Sequence, residues 1–143
     1  MIQPPSRDVD LEHPAIAVVG RIMFTLIFFL SGITHFTDLD RYVALMPAAI
    51  PFRSFWVVSS AVTELIAATL IVTNRAPRLG AWLTVLFLVP VTITVHGVAM
   101  VAAPDEQMRA IQTSFFLKGI TMTGAALLMT QLGAGRRGPS RGG

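Results

Sequence analysis

Four long apolar segments, nearly free of charged residues, constrain this chain more than any other feature. They cover residues 15–36, 55–73, 79–101 and 110–132. A helix needs about 20 mostly apolar residues to cross a bilayer core of roughly 30 Å, and each segment is near that length. Of the 143 residues, 53% are hydrophobic and 13% are charged, whereas roughly a quarter are charged in soluble domains. The pattern predicts an all-α membrane protein with a four-transmembrane-helix bundle.

The segments around these runs predict the remaining organisation. Residues 1–14 form an N-terminal segment whose charge is too acidic for a cleavable signal. Residues 15–132 form the transmembrane domain, and 133–143 form a basic, Gly-rich tail that is expected to be disordered. The first loop contains a weak helical pattern at residues 38–46, which predicts a short interfacial helix on the outer surface.

The arginines predict the orientation, because short loops rich in Lys and Arg stay in the cytoplasm. With four spans, both termini and the second loop share one side. That side carries Arg7, Arg75, Arg78, Arg136, Arg137 and Arg141, and the other carries Arg41, Arg53 and Arg109. Both termini are therefore expected to be cytoplasmic.

Composition also excludes several classes of protein. The chain has no cysteine, which rules out disulfide frameworks, thiolate metal sites and thiol redox chemistry. No sequence spacing typical of a metal site is present. The net charge is +3, but the basic residues are scattered among apolar runs, so nucleic acid is not an expected partner.

Ionisable residues within the predicted spans are the candidates for function. Arg21, Glu64, His96 and Lys118 lie inside the spans, and His35 lies at the outer end of the first. Such residues are costly in a membrane and mark functional sites by default. The alternative interpretation is that paired charges only fix the helices in register.

Helical spacing groups these residues on faces that are expected to point inward. The predicted faces are Arg21, Thr25, Phe28, Gly32 and His35 on the first helix; Ser60, Glu64 and Ala67 or Ala68 on the second; Thr92 and His96 on the third; and Ser114, Lys118, Thr121 and Ala125 on the fourth. A rise of about 1.5 Å per residue places Glu64 in depth between Arg21 and Lys118. The sequence therefore predicts a carboxylate flanked by two cations.

The same residues indicate a site for a ring-shaped cofactor. Glu64, His96 and Lys118 are the candidate catalytic residues. The candidate cofactor-binding residues are His35, Arg21, Phe28 and Phe115. A quinone is the candidate cofactor, because polar groups beside flat apolar walls suit its ring and tail. The two histidines are a weaker candidate for binding haem b.

Several segments resemble the DoxX-type family of small four-span bacterial membrane proteins. The resemblance lies in GRIMFTLIFFLSGITHF from Gly20, MPAAIP from Met46, AVTELIAATLIV from Ala61, VTITVHG from Val91 and FFLKGITMTGAALLM from Phe115. It covers residues 15–132, and the order and spacing of these short motifs carry it. At the position of His35 the family more commonly has Lys.

The resemblance implies a bacterial inner-membrane protein associated with membrane redox complexes. It implies that other membrane or peripheral redox subunits are partners, in addition to the lipid bilayer. It places Arg21, Glu64, His96 and Lys118 at the family's polar positions. The family includes a subunit of a thiosulfate:quinone oxidoreductase.

Three functions from different classes remain open at the level of sequence. The first is a quinone-linked redox protein or subunit, whose electrons a partner would supply. The second is a non-enzymatic membrane subunit or assembly factor. The third is a small proton-coupled transporter that uses Glu64. The sequence leaves open whether the protein is an enzyme.

Overall fold

The structure is a computed structural model that describes residues 13–131, and all of its regular elements are helical. The helices are α1 (Pro14–Thr37), α2 (Leu39–Leu45), α3 (Arg53–Val72), α4 (Pro77–Val91), α5 (Val98–Val101) and α6 (Glu106–Gln131). A π-helical segment, Thr92–Gly97, joins α4 to α5 without a break. The predicted tail at 133–143 and most of the segment at 1–14 lie outside the described residues.

Three helices have the length and composition needed to cross a membrane. They are α1 with 24 residues, α3 with 20, and the continuous helix Pro77–Val101 with 25. At 1.5 Å per residue, 20 residues span about 30 Å, the thickness of the hydrocarbon core. These are the properties of a helical membrane protein.

The fourth long helix, α6, is more polar than the other three. It has 26 residues, so it is long enough to span, but it contains Lys118, Ser114 and four threonines. It begins at Glu106 rather than at residue 110, because the Asp105 carboxylate accepts a hydrogen bond of 2.7 Å from the Met108 amide and caps the helix.

Proline and a left-handed residue set the other helix ends. Pro14 and Pro77 stand in the first turns of α1 and α4, where the missing N–H costs nothing. After α3 the chain turns at Asn74, whose φ of 54° is in the left-handed region that Asn tolerates. Pro90 removes one backbone donor just before the π-helical segment begins at Thr92.

Two close helix contacts define two helix pairs. In the first pair, α1 packs on α3 at Gly32. A Cβ atom at this position would lie only 3.2 Å from the Ala61 carbonyl oxygen of α3. In the second pair, α6 lies on the π-helical segment where Gly119 faces the Thr92 side chain with no room for a Cβ. Small residues allow this close approach between membrane helices.

The two pairs join near the Asn74 turn. There α4 packs on α3, and a Cβ on Gly80 would lie 2.7 Å from the Ala67 carbonyl oxygen. A core of Phe28, Ala68 and Leu88 continues the contact between the pairs. No comparable backbone packing joins α1 to α6 within residues 13–131. The pairs are therefore closest at this end, called here the Asn74 end, and separate toward the opposite end, called the α2 end.

The short helix α2 lies at the α2 end against α1 and α3. Its residues Leu39, Tyr42 and Val43 are half-buried, whereas Asp40 and Arg41 are exposed. The predicted helical pattern in this segment is thus present as a helix of seven residues. It lies next to the space between the two helix pairs.

Candidate functional site

A cavity of about 650 Å³ lies between the two helix pairs at the α2 end. Its walls come from α1, α2 and α3 on one side and from α4, the π-helical segment and α6 on the other. This volume is within the range of pockets for drug-sized ligands. Most of the lining is apolar, with Phe28 and Leu88 of the core at its base.

Six of the seven residues predicted for the site line this one cavity. They are His35, Glu64, His96, Lys118, Phe28 and Phe115. Arg21 does not line it, because it lies about 21 Å from His35 along α1. The Arg21 Nε is buried and has no hydrogen-bond partner among residues 13–131.

Glu64 is the most deeply buried ionisable residue of the cavity, with 1% of its surface exposed. The Ser31 side chain lies beside it, but neither carboxylate oxygen has a partner with hydrogen-bond geometry within the described part of the chain. Its nearest basic group is His35, whose Nδ1 lies 3.9 Å from Oε1. A buried carboxylate without hydrogen bonds is costly to the fold, so Glu64 does not serve the packing of this site.

The prediction that Arg21 and Lys118 flank Glu64 is wrong. Neither forms an ion pair with Glu64 among residues 13–131. Lys118 instead places its Nζ 4.8 Å from the centroid of the Phe115 ring, a cation–π contact. Lys118 does not meet Glu64 although their predicted depths are within side-chain reach, because α6 packs on α4 and not on α3.

His35 is held between a backbone carbonyl and an aromatic ring. Its Nδ1 donates a hydrogen bond of 2.6 Å to the Ser31 carbonyl oxygen. Its ring stacks on Tyr42, with 3.8 Å between the ring centroids. The Tyr42 hydroxyl is 2.7 Å from the Thr34 hydroxyl, which fixes Tyr42 over the imidazole. Tyr42, which lies in the segment predicted as an interfacial helix, thus belongs to the site.

His96 and Lys118 are the basic residues of the opposite wall, which also carries Thr92 and Thr94. The His96 Nδ1 is hydrogen-bonded to the Gln112 side-chain amide at 3.3 Å, and the His96 ring lies 5.4 Å from Phe115. His96 lies in the π-helical segment, a distortion often found at functional sites. The two walls therefore carry different groups, a carboxylate with an imidazole on one and an imidazole with an ammonium on the other.

The predicted inward face of α6 is also wrong. Ser114, Lys118 and Thr121 are exposed. The inward face is instead a stripe, two positions away, of Gln112, Phe116, Gly119, Thr123, Ala126 and Thr130, of which Gly119, Ala126 and Thr130 are buried. Both stripes have helical spacing and both mix small with polar residues, so periodicity could not choose between them. Lys118 reaches the cavity from the edge of the buried stripe.

Sequence reasoning missed Gln112 and Ser31 as site residues. Ser31 lies one turn before His35 and on the same side of α1, so helical spacing from His35 could have found it. Gln112 lies two turns before Gly119, and only the correct face of α6 would have revealed it. No group of three or more His, Asp or Glu side chains suited to a metal ion occurs among residues 13–131.

Comparison with known proteins gives one match. No curated protein and no solved structure matches the chain. A family model described as a domain of unknown function (DUF8561) matches residues 24–118, from the middle of α1 to Lys118 in α6. The match covers more than half of the 143 residues and includes all six predicted site residues that line the cavity. The chain therefore belongs to the DUF8561 family.

Proposed function

We propose that the protein binds a membrane quinone in the cavity and acts as a quinone-linked redox protein or subunit. The observation that carries this proposal is the distribution of polar groups in an otherwise apolar cavity of about 650 Å³. His35 and Glu64 lie on one wall, and His96 and Lys118 lie on the other. A quinone has a flat apolar ring with an oxygen at each of two opposite positions, which matches polar groups on opposed walls.

The apolar lining supports a ring with a lipid tail. Phe28, Phe115 and Trp56 contribute aromatic surfaces to the cavity, and aromatic rings favour offset stacking on other flat rings. Phe115 is 40% exposed and also lines the cavity, so the cavity is accessible beside α6. An isoprenoid tail would leave through such an opening into the bilayer, because the cavity is too small for a long tail.

Electrons would come from a partner redox subunit, as the resemblance to the DoxX-type family implies. The unpaired carboxylate of Glu64 favours this proposal over a purely structural subunit, since it adds no hydrogen bond to the fold.

A proton-coupled transporter is the second candidate, favoured by the burial of Glu64 beside the cavity. Haem b bound by His35 and His96 is a weaker alternative, and a Soret band in the purified protein would support it.

The placement in the membrane is part of the proposal. The fourth span is α6, α2 lies at the outer interface, and both termini are in the cytoplasm of a bacterium whose inner membrane holds the protein. A reporter that is active only in the cytoplasm is expected to be active when fused after Gly143 and silent when inserted near Asp105. The reverse pattern would contradict the orientation inferred from the arginines.

Variants on the second wall test the quinone site. His96→Ala and Lys118→Met are each expected to lower the quinone that co-purifies with the protein by up to about tenfold, because each removes a polar group from the cavity and one net hydrogen bond contributes about 0.5–1.5 kcal/mol. Arg21→Met is the matched control, since it also removes one cation but lies outside the cavity. Mass spectrometry of the purified variants measures the quinone. Equal quinone content in Lys118→Met and Arg21→Met would remove Lys118 from the site.

A further inference from the structure

We propose that the cavity binds the reduced form, a quinol, more tightly than the quinone, through a ligand hydroxyl that donates a hydrogen bond to the His35 Nε2. This inference rests on the proposed function, and it names the redox form that the site selects. It follows from the position of the hydrogen on the imidazole ring and from the burial of both Glu64 carboxylate oxygens.

The contacts of His35 determine which nitrogen carries its proton. A carbonyl oxygen can only accept hydrogen bonds, and the Ser31 carbonyl lies 2.6 Å from Nδ1. Nδ1 must therefore carry a hydrogen. No hydrogen bond among residues 13–131 uses Nε2, and this atom is not among their buried unpaired polar atoms. A neutral imidazole with its hydrogen on Nδ1 satisfies every contact, and it presents the Nε2 lone pair as an acceptor.

The stack with Tyr42 holds the ring in this orientation. The ring centroids are 3.8 Å apart and the planes are inclined by 21°. Rotation of the imidazole would break both this stack and the hydrogen bond to Ser31. Nε2 is therefore a preorganised acceptor, and a preorganised group binds its partner at a lower entropic cost.

Glu64 does not replace His35 as the group that meets the ligand. Both of its carboxylate oxygens are closed off from solvent, whereas His35 retains some exposure at the cavity wall. The 3.9 Å between Oε1 and Nδ1 is too long for a hydrogen bond. Ser31 and Tyr42, rather than Glu64, hold the imidazole in place, and the accessible polar atom on this wall is the Nε2 acceptor.

An acceptor distinguishes a quinol from a quinone. The quinol hydroxyl is a donor and pairs with the Nε2 lone pair, whereas a quinone carbonyl is an acceptor and leaves both groups unpaired. The opposite wall is not fixed as an acceptor in this way, because the Gln112 side-chain amide beside His96 can donate as well as accept and does not determine which His96 nitrogen carries the hydrogen. The Lys118 ammonium is a donor only, and it can donate to the oxygen of either a hydroxyl or a carbonyl.

The test uses the native tryptophans as reporters. The chain has two, Trp56 and Trp82, and only Trp56 lines the cavity. In a Trp82→Phe parent, a decyl-substituted benzoquinone is expected to quench the fluorescence of Trp56 on binding. The corresponding quinol, added without oxygen, is then titrated as a competitor that restores the fluorescence. We expect the quinol to bind about tenfold more tightly, the value of one net hydrogen bond.

Matched histidine variants then locate the preference. His35→Phe keeps an aromatic ring for the Tyr42 stack but removes the acceptor, and it is expected to bind both forms equally. His96→Phe on the opposite wall is expected to weaken both forms and keep the preference. Equal affinities in the Trp82→Phe parent, or an unchanged preference in His35→Phe, would overturn this inference and leave quinone binding intact. The absence of saturable quenching by the benzoquinone would contradict the proposed function itself.

Discussion

Replacing Ser60 with tryptophan is expected to weaken quinone binding by up to about a hundredfold without unfolding the protein. Ser60 is half-buried, lines the cavity one turn before Glu64, and donates its hydroxyl only to the Val57 carbonyl of its own helix. An indole at this position fills space that the ring would occupy. To bind the quinone, this variant would have to move the indole or the cavity wall beside it. Such a rearrangement costs about 1–3 kcal/mol, and the upper end of this range corresponds to about a hundredfold loss of affinity.

The control for this variant is Val62→Trp. Val62 lies on the same helix but is 43% exposed and does not line the cavity. A bound ligand raises the melting temperature of its protein, so the shift caused by added decyl-benzoquinone reports binding. Wild type and Val62→Trp should both show the shift, and Ser60→Trp should not. A normal shift in Ser60→Trp would mean that the quinone binds elsewhere.

Replacing Glu64 with methionine is expected to stabilise the fold. The Glu64 side chain is fully buried and its carboxylate has no hydrogen bond within the described residues. Methionine has a similar length, is apolar and adapts to irregular space. Replacing buried charged groups by apolar residues of similar volume often stabilises proteins by about 1–4 kcal/mol. Thermal unfolding in detergent should show a higher melting temperature for Glu64→Met than for wild type.

Glu64→Ala and Glu64→Gln complete this series. Alanine leaves a cavity and is expected to cost about 2–5 kcal/mol, whereas glutamine keeps the volume and should unfold close to wild type. If the polar centre existed only to hold the helices together, Glu64→Met would instead lower the melting temperature. That result would favour the non-enzymatic subunit and contradict a functional carboxylate.

The sequence predicted the inward face of α1 well, and the reason is its composition. Thr25, Phe28, Gly32 and His35 are all buried, and the residues between them are mostly large and apolar, as suits a lipid-facing surface. Only one stripe of α1 could face protein. On α6 two stripes had similar composition, and the contact of Gly119 with Thr92, which the sequence does not reveal, decides between them.

Partners across helices were harder to predict than faces. Depth along a helix follows from residue number, but the neighbour of a side chain depends on which helices pack together. Glu64 and Lys118 lie at compatible depths, yet α3 and α6 are not packed on each other. The stack of Tyr42 on His35 depends on how α2 folds back over α1. The π-helical geometry of Thr92–Gly97 depends on the backbone hydrogen bonds that follow Pro90. Neither is encoded in a periodic pattern.

The most direct measurement is the mass spectrum of the intact protein released from its own membranes, with no quinone added. Wild type is expected to carry about one membrane quinone for each chain. Ser60→Trp should carry none, and Val62→Trp should retain it. Wild-type protein without quinone, or equal quinone in Ser60→Trp and Val62→Trp, would contradict the claim that this cavity is a quinone site.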